Sequence, residues 1–344
     1  MSDQPTWAML PFEKHGAPVI EPSVQPTFWC PIARRPVRWE EQNTYNPAAV
    51  VRDGRVNLLY RADDTPRSEG WGRTCRTGLA WSQDGRTFAR RPTPVLYPDD
   101  DSCQQYEWEG GCEDIHVFED EAGEYHASYT AWNGKVDAML MASSSDLVAW
   151  RKTGPAFARA LGGSLVRRSR TGTAVVRRED DRLVATRLGG RYVMYWGIGC
   201  FVATSEDLVH WTPVVDAAGR PVSALPPRPG MFDSSACEVG AVALLTERGI
   251  LLMYNALNYR SDAGGDPSFP AGWSSLGQAL LDPEEPTREI DRLEQPFLRV
   301  DREWEKVGFY PDTLVANALV PFGGEWLLYF GGADRRIGLA AHRP

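Results

Sequence analysis

Glu113 and Asp114 stand side by side just ahead of VFEDEAGEYHASYT, a stretch that reads as two paired strands. Adjacent carboxylates repel when both are ionised, which raises the pKa of one toward the range a general acid needs. An ordinary acidic turn would carry the same residues. A second group of polar residues follows apolar strands that end on tyrosine: Arg61, Asp63, Thr130, Asn255 and Asp334. Charged and amide side chains of this kind fix the orientation of a polar ligand in a cleft, although solvated loops also carry them.

Other chemistries find no support. The five histidines (His15, His116, His126, His210 and His342) lack metal-ligand spacing, and Asp99-Asp100-Asp101 reads as a solvated turn, not a calcium loop. No glycine loop is built to cradle phosphates, so no cofactor is expected. Six cysteines are scattered without CxxC spacing and read as reduced thiols. A formal net charge of −9 argues against a nucleic-acid partner. No apolar run is long enough to span a membrane. The N-terminal MSDQPTWAMLPFEKHG has acids and prolines where a secretory signal has a basic and then an apolar segment. The expectation is a soluble, cytoplasmic protein whose partner is a small polar substrate.

The elements that position these residues repeat. VNLLYR, YHASYT, RYVMYW, ILLMYN and EWLLYF place Tyr60, Tyr129, Tyr195, Tyr254 and Tyr329 at the ends of five similar strands. Three of them are followed by Ala-x-Ser-x-Asp and then an aromatic: Ser82, Asp84 and Phe88; Ser144, Asp146 and Trp150; Ser205, Asp207 and Trp211. The Asp starts a turn by accepting bonds from nearby backbone N–H groups, so each copy predicts a hairpin. GQALLD and IGLAAH are degenerate fourth and fifth copies. Five repeats without sustained helical periodicity predict an all-β five-bladed β-propeller, with a β-sandwich as the alternative. The whole chain, 1–344, is expected to form one domain, with residues 1–39 an N-terminal extension that contributes to closure. With the tyrosine-ended strands innermost, the polar residues after them would converge at one mouth of a central channel.

Asn46-Pro47-Ala48-Ala49 leading to Leu58-Leu59-Tyr60-Arg61 resembles the first-blade signature of glycoside hydrolase family 130, the β-mannoside phosphorylases and β-mannosidases. Gly111-Cys112-Glu113-Asp114 is similar to that family's Gly-x-Glu-Asp-Pro-Arg motif. Ala279 to Asp282, Arg292 with Pro296, Glu305 with Gly308, and Gly332-Ala333-Asp334 continue the pattern. The resemblance implies that Asp114 is the general acid, reaching the glycosidic oxygen directly or through a sugar hydroxyl. Ile115-His116 replaces the family's Pro-Arg, so His116 either takes over a sugar contact or is structural. Three positions that hold phosphate in the family's phosphorylases also differ: Glu238-Val239-Gly240 stands for Lys-Ile-Gly, Asn255 for a histidine and Trp196-Gly197 for His-Arg. Arg170, before Thr171-Gly172, matches a remaining basic position.

A glutamate in place of a phosphate-binding lysine fits a hydrolase, in which Glu238 would activate water opposite Asp114. Asp262, Asp266 and Glu305 are weaker candidates for that base. The expected function is an inverting, exo-acting glycosidase on a β-mannoside or related β-glycoside. Asn46, Arg61, Asp63, Glu113, His116, Thr130, Arg170, Asn255 and Asp334 are the expected substrate contacts. The alternatives are an inverting β-mannoside phosphorylase with a rebuilt phosphate site and a non-catalytic glycan-binding propeller.

Overall fold

A computed structural model describes residues 5–64, 72–259 and 261–344. It is all-β and propeller-like, with one α-helical turn at Gln104–Glu107 and short 3₁₀ turns as the helix among the described residues. No helix among them is long and apolar enough to cross a membrane.

Antiparallel pairing joins the strands into successive four-stranded units. The first is Asn43–Arg52, Arg55–Asp63, Cys75–Ser82 and Ala89–Arg90. The second is Gly111–Glu119, Tyr125–Trp132, Asp137–Ser144 and Arg151–Pro155. The third runs Gly172–Glu179, Arg191–Trp196, Phe201–Ser205 and Trp211–Pro213. The fourth is Ala236–Thr246, Gly249–Leu257, Ser274–Leu281 and Glu289–Arg292. In the last, Leu314–Phe322, Glu325–Gly332 and Arg336–His342 are completed by Glu13–Lys14 from the other end of the chain.

The repeated tyrosines occupy the second strand of each unit and not, as the sequence pattern suggested, the innermost. The first strands of neighbouring units lie against one another, Val175 and Val176 pairing in parallel with Ala243 and Leu244. Residues of all five first strands, among them Val50, Val117, Thr173, Val242 and Leu319, line one narrow pocket. Tyrosine suits the second strand because its ring is buried between sheets while its hydroxyl needs a partner there. Tyr60 donates to Glu40, Tyr129 to Glu107 and Tyr254 to Asp233, at 2.6, 2.7 and 2.8 Å. Each acid precedes a first strand and is also bonded by a cation of the same unit's fourth strand: Arg90, Lys152 or Arg292. Tyr195 and Tyr329 instead donate to carbonyls of a turn in the next unit, Pro286 and, for the last unit, Gly85 of the first.

The Ser-x-Asp motifs form the predicted turns between third and fourth strands. Asp84, Asp146 and Asp207 each accept two backbone N–H bonds from residues two and three positions on. The aromatic after the first turn, Phe88, packs edge-on against Tyr329 with centroids 5.7 Å apart.

Candidate active site

Four of the first strands share a local defect. Their register shifts between Tyr45 and Ala48, Glu113 and His116, Val239 and Ala243, and Ala316 and Ala318. A bulge of this kind bends the strand and re-aims a side chain. Asn46 and Asp114 sit in two of these bulges at φ 44° and 47°, a region that Asn and Asp tolerate better than most residues. Asn317 is the residue added in the bulge of the last unit. All three line one cavity of about 380 Å³.

Arg61, Glu113, Arg170, Glu238 and Asp334 line the same cavity, so seven expected residues meet there. Arg61 is fixed on every side. Its Nη2 lies 2.8 Å from Glu113 and its Nη1 2.9 Å from Asp114, its Nε donates to Cys75 Sγ, and its plane lies over the Tyr45 ring. Asp114 also accepts from Asn46 Nδ2 at 2.9 Å and from Arg170 Nη2 at 3.0 Å. Arg170 reaches Glu238 with Nε at 3.6 Å, an ion pair too long for a hydrogen bond, and Asp137 with Nη1 at 3.7 Å.

These contacts separate the carboxyl groups electrostatically. Burial pushes Asp114 up, but the charges of Arg61 and Arg170 and the bonds from Asn46 and Arg61 outweigh it and hold the group well below the usual range. Burial dominates at Glu238, which is raised despite Arg170, with the Asp114 charge adding to the rise. Glu113 is likewise raised by burial, against the pull of Arg61. Asp334 is pushed up to about 7 by burial against Arg61, with the charges of Asp114, Glu238 and Asp63 reinforcing the rise. Three oxygens of cavity-lining residues, Oδ1 of Asn46, Asn317 and Asp334, are buried without a protein partner. Buried acceptors are normally satisfied, so a cavity that holds three open ones suits a ligand rich in hydroxyl donors.

Four expected contacts do not line the cavity, because their polar atoms are engaged inside the protein. Asp63 accepts from Asn43, Tyr45 and Arg73. His116 bridges units, with Nδ1 3.0 Å from Thr171 Oγ1 and Nε2 3.0 Å from the Gly240 carbonyl. Because that carbonyl only accepts, Nε2 carries the proton of a neutral ring. Thr130 Oγ1 accepts the Thr171 N–H, and Asn255 donates to the Val239 carbonyl while accepting the Ala316 N–H. These four hold the cavity walls. Of the weaker base candidates, Asp262 and Asp266 do not line the cavity, and Glu305 is buried on Lys14 and the N–H groups of Asp301 and Arg302.

Sequence reasoning missed Trp132, Asp137, Thr171, Val239, Phe309, Tyr310, Val315 and Asn317, all of which line the cavity. A signal for Asn317 existed: Ala316-Asn317-Ala318-Leu319 precedes the last tyrosine strand much as Asn46-Pro47-Ala48-Ala49 precedes the first. Nothing comparable marked Phe309 and Tyr310, which come from a loop.

Known proteins resemble this chain in sequence and fold. The chain is 27% identical over 314 residues to a 1,2-beta-oligomannan phosphorylase of Thermoanaerobacter sp. (strain X514), covering 88% of this chain and 90% of that protein. A glycosyl hydrolase structure from Bacteroides ovatus superposes with a TM-score of 0.95 at 40% identity, over 99% of this chain and 96% of that one. A further structure, 41% identical with a TM-score of 0.95 and the same coverage, comes from work stating that this family of mannoside phosphorylases contains glycoside hydrolases that target beta-1,2 mannosidic linkages in Candida mannan. The sequence pattern of the family described as beta-1,4-mannooligosaccharide phosphorylase matches residues 13–343, which spans every unit of the fold and every residue of the cavity. The chain therefore belongs to glycoside hydrolase family 130.

Proposed function

We propose that this protein cleaves a β-linked mannoside from a chain end with inversion, using water as the acceptor. Asn46, Arg61 and Asp334 hold the terminal sugar, Asp114 protonates the leaving oxygen directly or through a sugar hydroxyl, and Glu238 deprotonates the attacking water. Burial raises the pKa of Glu238, which makes its carboxylate a stronger proton acceptor. Arg61 and Arg170 favour the anionic form of Asp114, so a bound sugar must loosen its contacts with one of them before the carboxyl can carry a proton.

The description of the family and the name of the curated relative favour phosphate as acceptor, and phosphorolysis is the reading that those names support better. The charge of the cavity favours water. Among its described residues it gathers five carboxyl groups, Glu113, Asp114, Asp137, Glu238 and Asp334, around two guanidinium groups. Both guanidinium groups are already paired with carboxylates. Phosphate binding calls for cationic donors that are available to it. The 41%-identical structure linked to β-1,2-mannoside hydrolysis adds weight to the same reading.

The five units are read as the blades of one closed propeller forming a single catalytic domain. The bond from Tyr329 to Gly85, the packing of Phe88 on Tyr329 and the completion of the last unit by Glu13–Lys14 support that closure. The deciding experiment is to incubate the protein with β-mannosyl disaccharides of different linkage, with and without inorganic phosphate, and to identify the product by NMR. Free α-mannose at a rate independent of phosphate is expected. A phosphate requirement with release of mannose 1-phosphate would reverse the choice of acceptor, and binding without turnover would favour a non-catalytic glycan-binding propeller.

A further inference from the structure

Most of the cavity lining is polar or charged, with Trp132, Val239 and Val315 among it. At its exposed edge stand Phe309 and Tyr310, 39% and 58% exposed, with ring centroids 4.7 Å apart and planes at 70°. Large aromatic surface left open beside a polar cavity marks a binding surface more often than a packing defect.

The loop that carries the pair is locked to the turn that carries Asp334. Tyr310 N–H donates to the Ala333 carbonyl and Ala333 N–H to the Thr313 carbonyl. Gly308 packs so closely on this turn that an added Cβ would lie 2.1 Å from the Ala333 oxygen. A second support comes from behind. The Arg73 guanidinium lies 3.4 Å from the Phe309 centroid and also donates to buried Asp63. Asp63 thus acts on the mouth through Arg73 and Phe309 although it does not line the cavity. The aromatic pair and Asp334 therefore form one preorganised body, and a ring resting on the pair sits at a fixed offset from a sugar held at Asp334.

We infer that Phe309 and Tyr310 form the subsite for the leaving-group sugar, a stacking platform for the pyranose on the far side of the scissile bond. A pyranose presents an apolar C–H face and a rim of hydroxyls, which matches exposed aromatic rings next to a polar interior. The inference rests on the mannoside-cleaving reading, because that reading places the terminal sugar inside and the departing sugar at the mouth.

The test compares a β-1,2-linked mannosyl disaccharide with methyl β-mannoside, whose leaving group has no ring. In the double variant Phe309→Ala, Tyr310→Ala, kcat/KM for the disaccharide should fall about tenfold or more, the equivalent of roughly 1.4 kcal/mol. The value for the methyl glycoside should fall by a clearly smaller factor, because it has no second ring to lose, so the ratio of the two rates carries the test. Tyr310→Phe should retain the disaccharide rate, since it keeps the ring and loses only the hydroxyl. Equal losses on both substrates, or no loss on either, would overturn the platform. A change of oligomeric state by sedimentation, with the ratio of the two rates unaltered, would assign the pair to an interface instead. If the unmodified protein turned over neither glycoside, the mannoside-cleaving reading would fall, and calorimetric titration of the same two ligands into both proteins would still decide whether the pair binds the second ring.

Discussion

Arg170 Nη2 lies 3.0 Å from Asp114 Oδ2, and the same guanidinium faces Glu238 across 3.6 Å. One cation thus lowers the pKa of both the assigned acid and the assigned base. In Arg170→Gln that influence disappears, and both limbs of the pH profile of kcat/KM should move to higher pH by about 1–3 units, the effect of one close opposite charge. A profile that drops in height without moving would show that Arg170 has no electrostatic hold on the reaction.

Asp114→Asn and Glu238→Gln should each lower turnover of an unactivated mannoside by at least about a hundredfold, the low end of what acid–base groups contribute. A nitrophenyl leaving group needs little protonation, so it should restore much of the loss in Asp114→Asn and little in Glu238→Gln. Azide or formate should partly rescue Glu238→Gln by attacking without loss of a proton. Loss and recovery patterns that are the same for both variants would show that the roles are misassigned.

Asp334 stays protonated in the folded protein up to about pH 7, whereas the unfolded chain loses that proton near the ordinary carboxyl value of 3.8. Between those values the native state binds the extra proton, so this group makes the fold less stable as pH rises, and the full penalty is present above about 7. Asp334→Asn should remove the penalty: it should match the parent near pH 4 and exceed it at pH 8 by about 1–4 kcal/mol in urea unfolding, while binding mannosides less well. Stability curves that run parallel from pH 4 to 8 would contradict the buried-acid description.

His116 behaves in the opposite sense. Burial lowers it from 6.5 to about 4, so the unfolded state binds more protons in that interval. Its contribution to stability is complete above about 6.5 and is lost as pH falls toward 4. The parent protein should therefore lose about 2–3 kcal/mol from this group over that range, and His116→Gln should show a shallower acid slope by chemical denaturation.

Tyr129 donates to the carboxylate of Glu107, whereas Tyr195 donates to the Pro286 carbonyl. Hydrogen bonds to charged groups contribute about 1.5–3 kcal/mol and neutral ones about 0.5–1.5. Tyr129→Phe should accordingly destabilise the protein more than Tyr195→Phe, as read from paired urea midpoints. Equal costs would mean that Lys152 alone satisfies Glu107.

The all-β class and the repeat were legible because both rest on local pattern. The five tyrosine strands fall on equivalent second strands, and the Ser-x-Asp turns form where Asp84, Asp146 and Asp207 predicted them. Depth within a unit was not legible, since a buried second strand and a buried first strand have the same apolar pattern. That misplacement is why Asp63, Thr130 and Asn255, which follow or flank the tyrosines, were expected in the cavity and are found in its supports. Asn46, Asp114 and Glu238 carried motif information and reached the cavity. Phe309 and Tyr310 depend on a loop folded against Ala333, a long-range contact that no local pattern encodes.

The bulges at Asn46, Asp114 and Asn317 have a consequence for how such a scaffold diversifies. On either side of each bulge the strand is paired and buried, while the bulged residue faces the cavity at the top of its own unit. These units therefore present a set of sockets on one cavity, each able to accept a different polar side chain while the packed sheets below stay as they are. Chemistry can be rewritten one socket at a time, and a change of sugar or of acceptor need not reach the core.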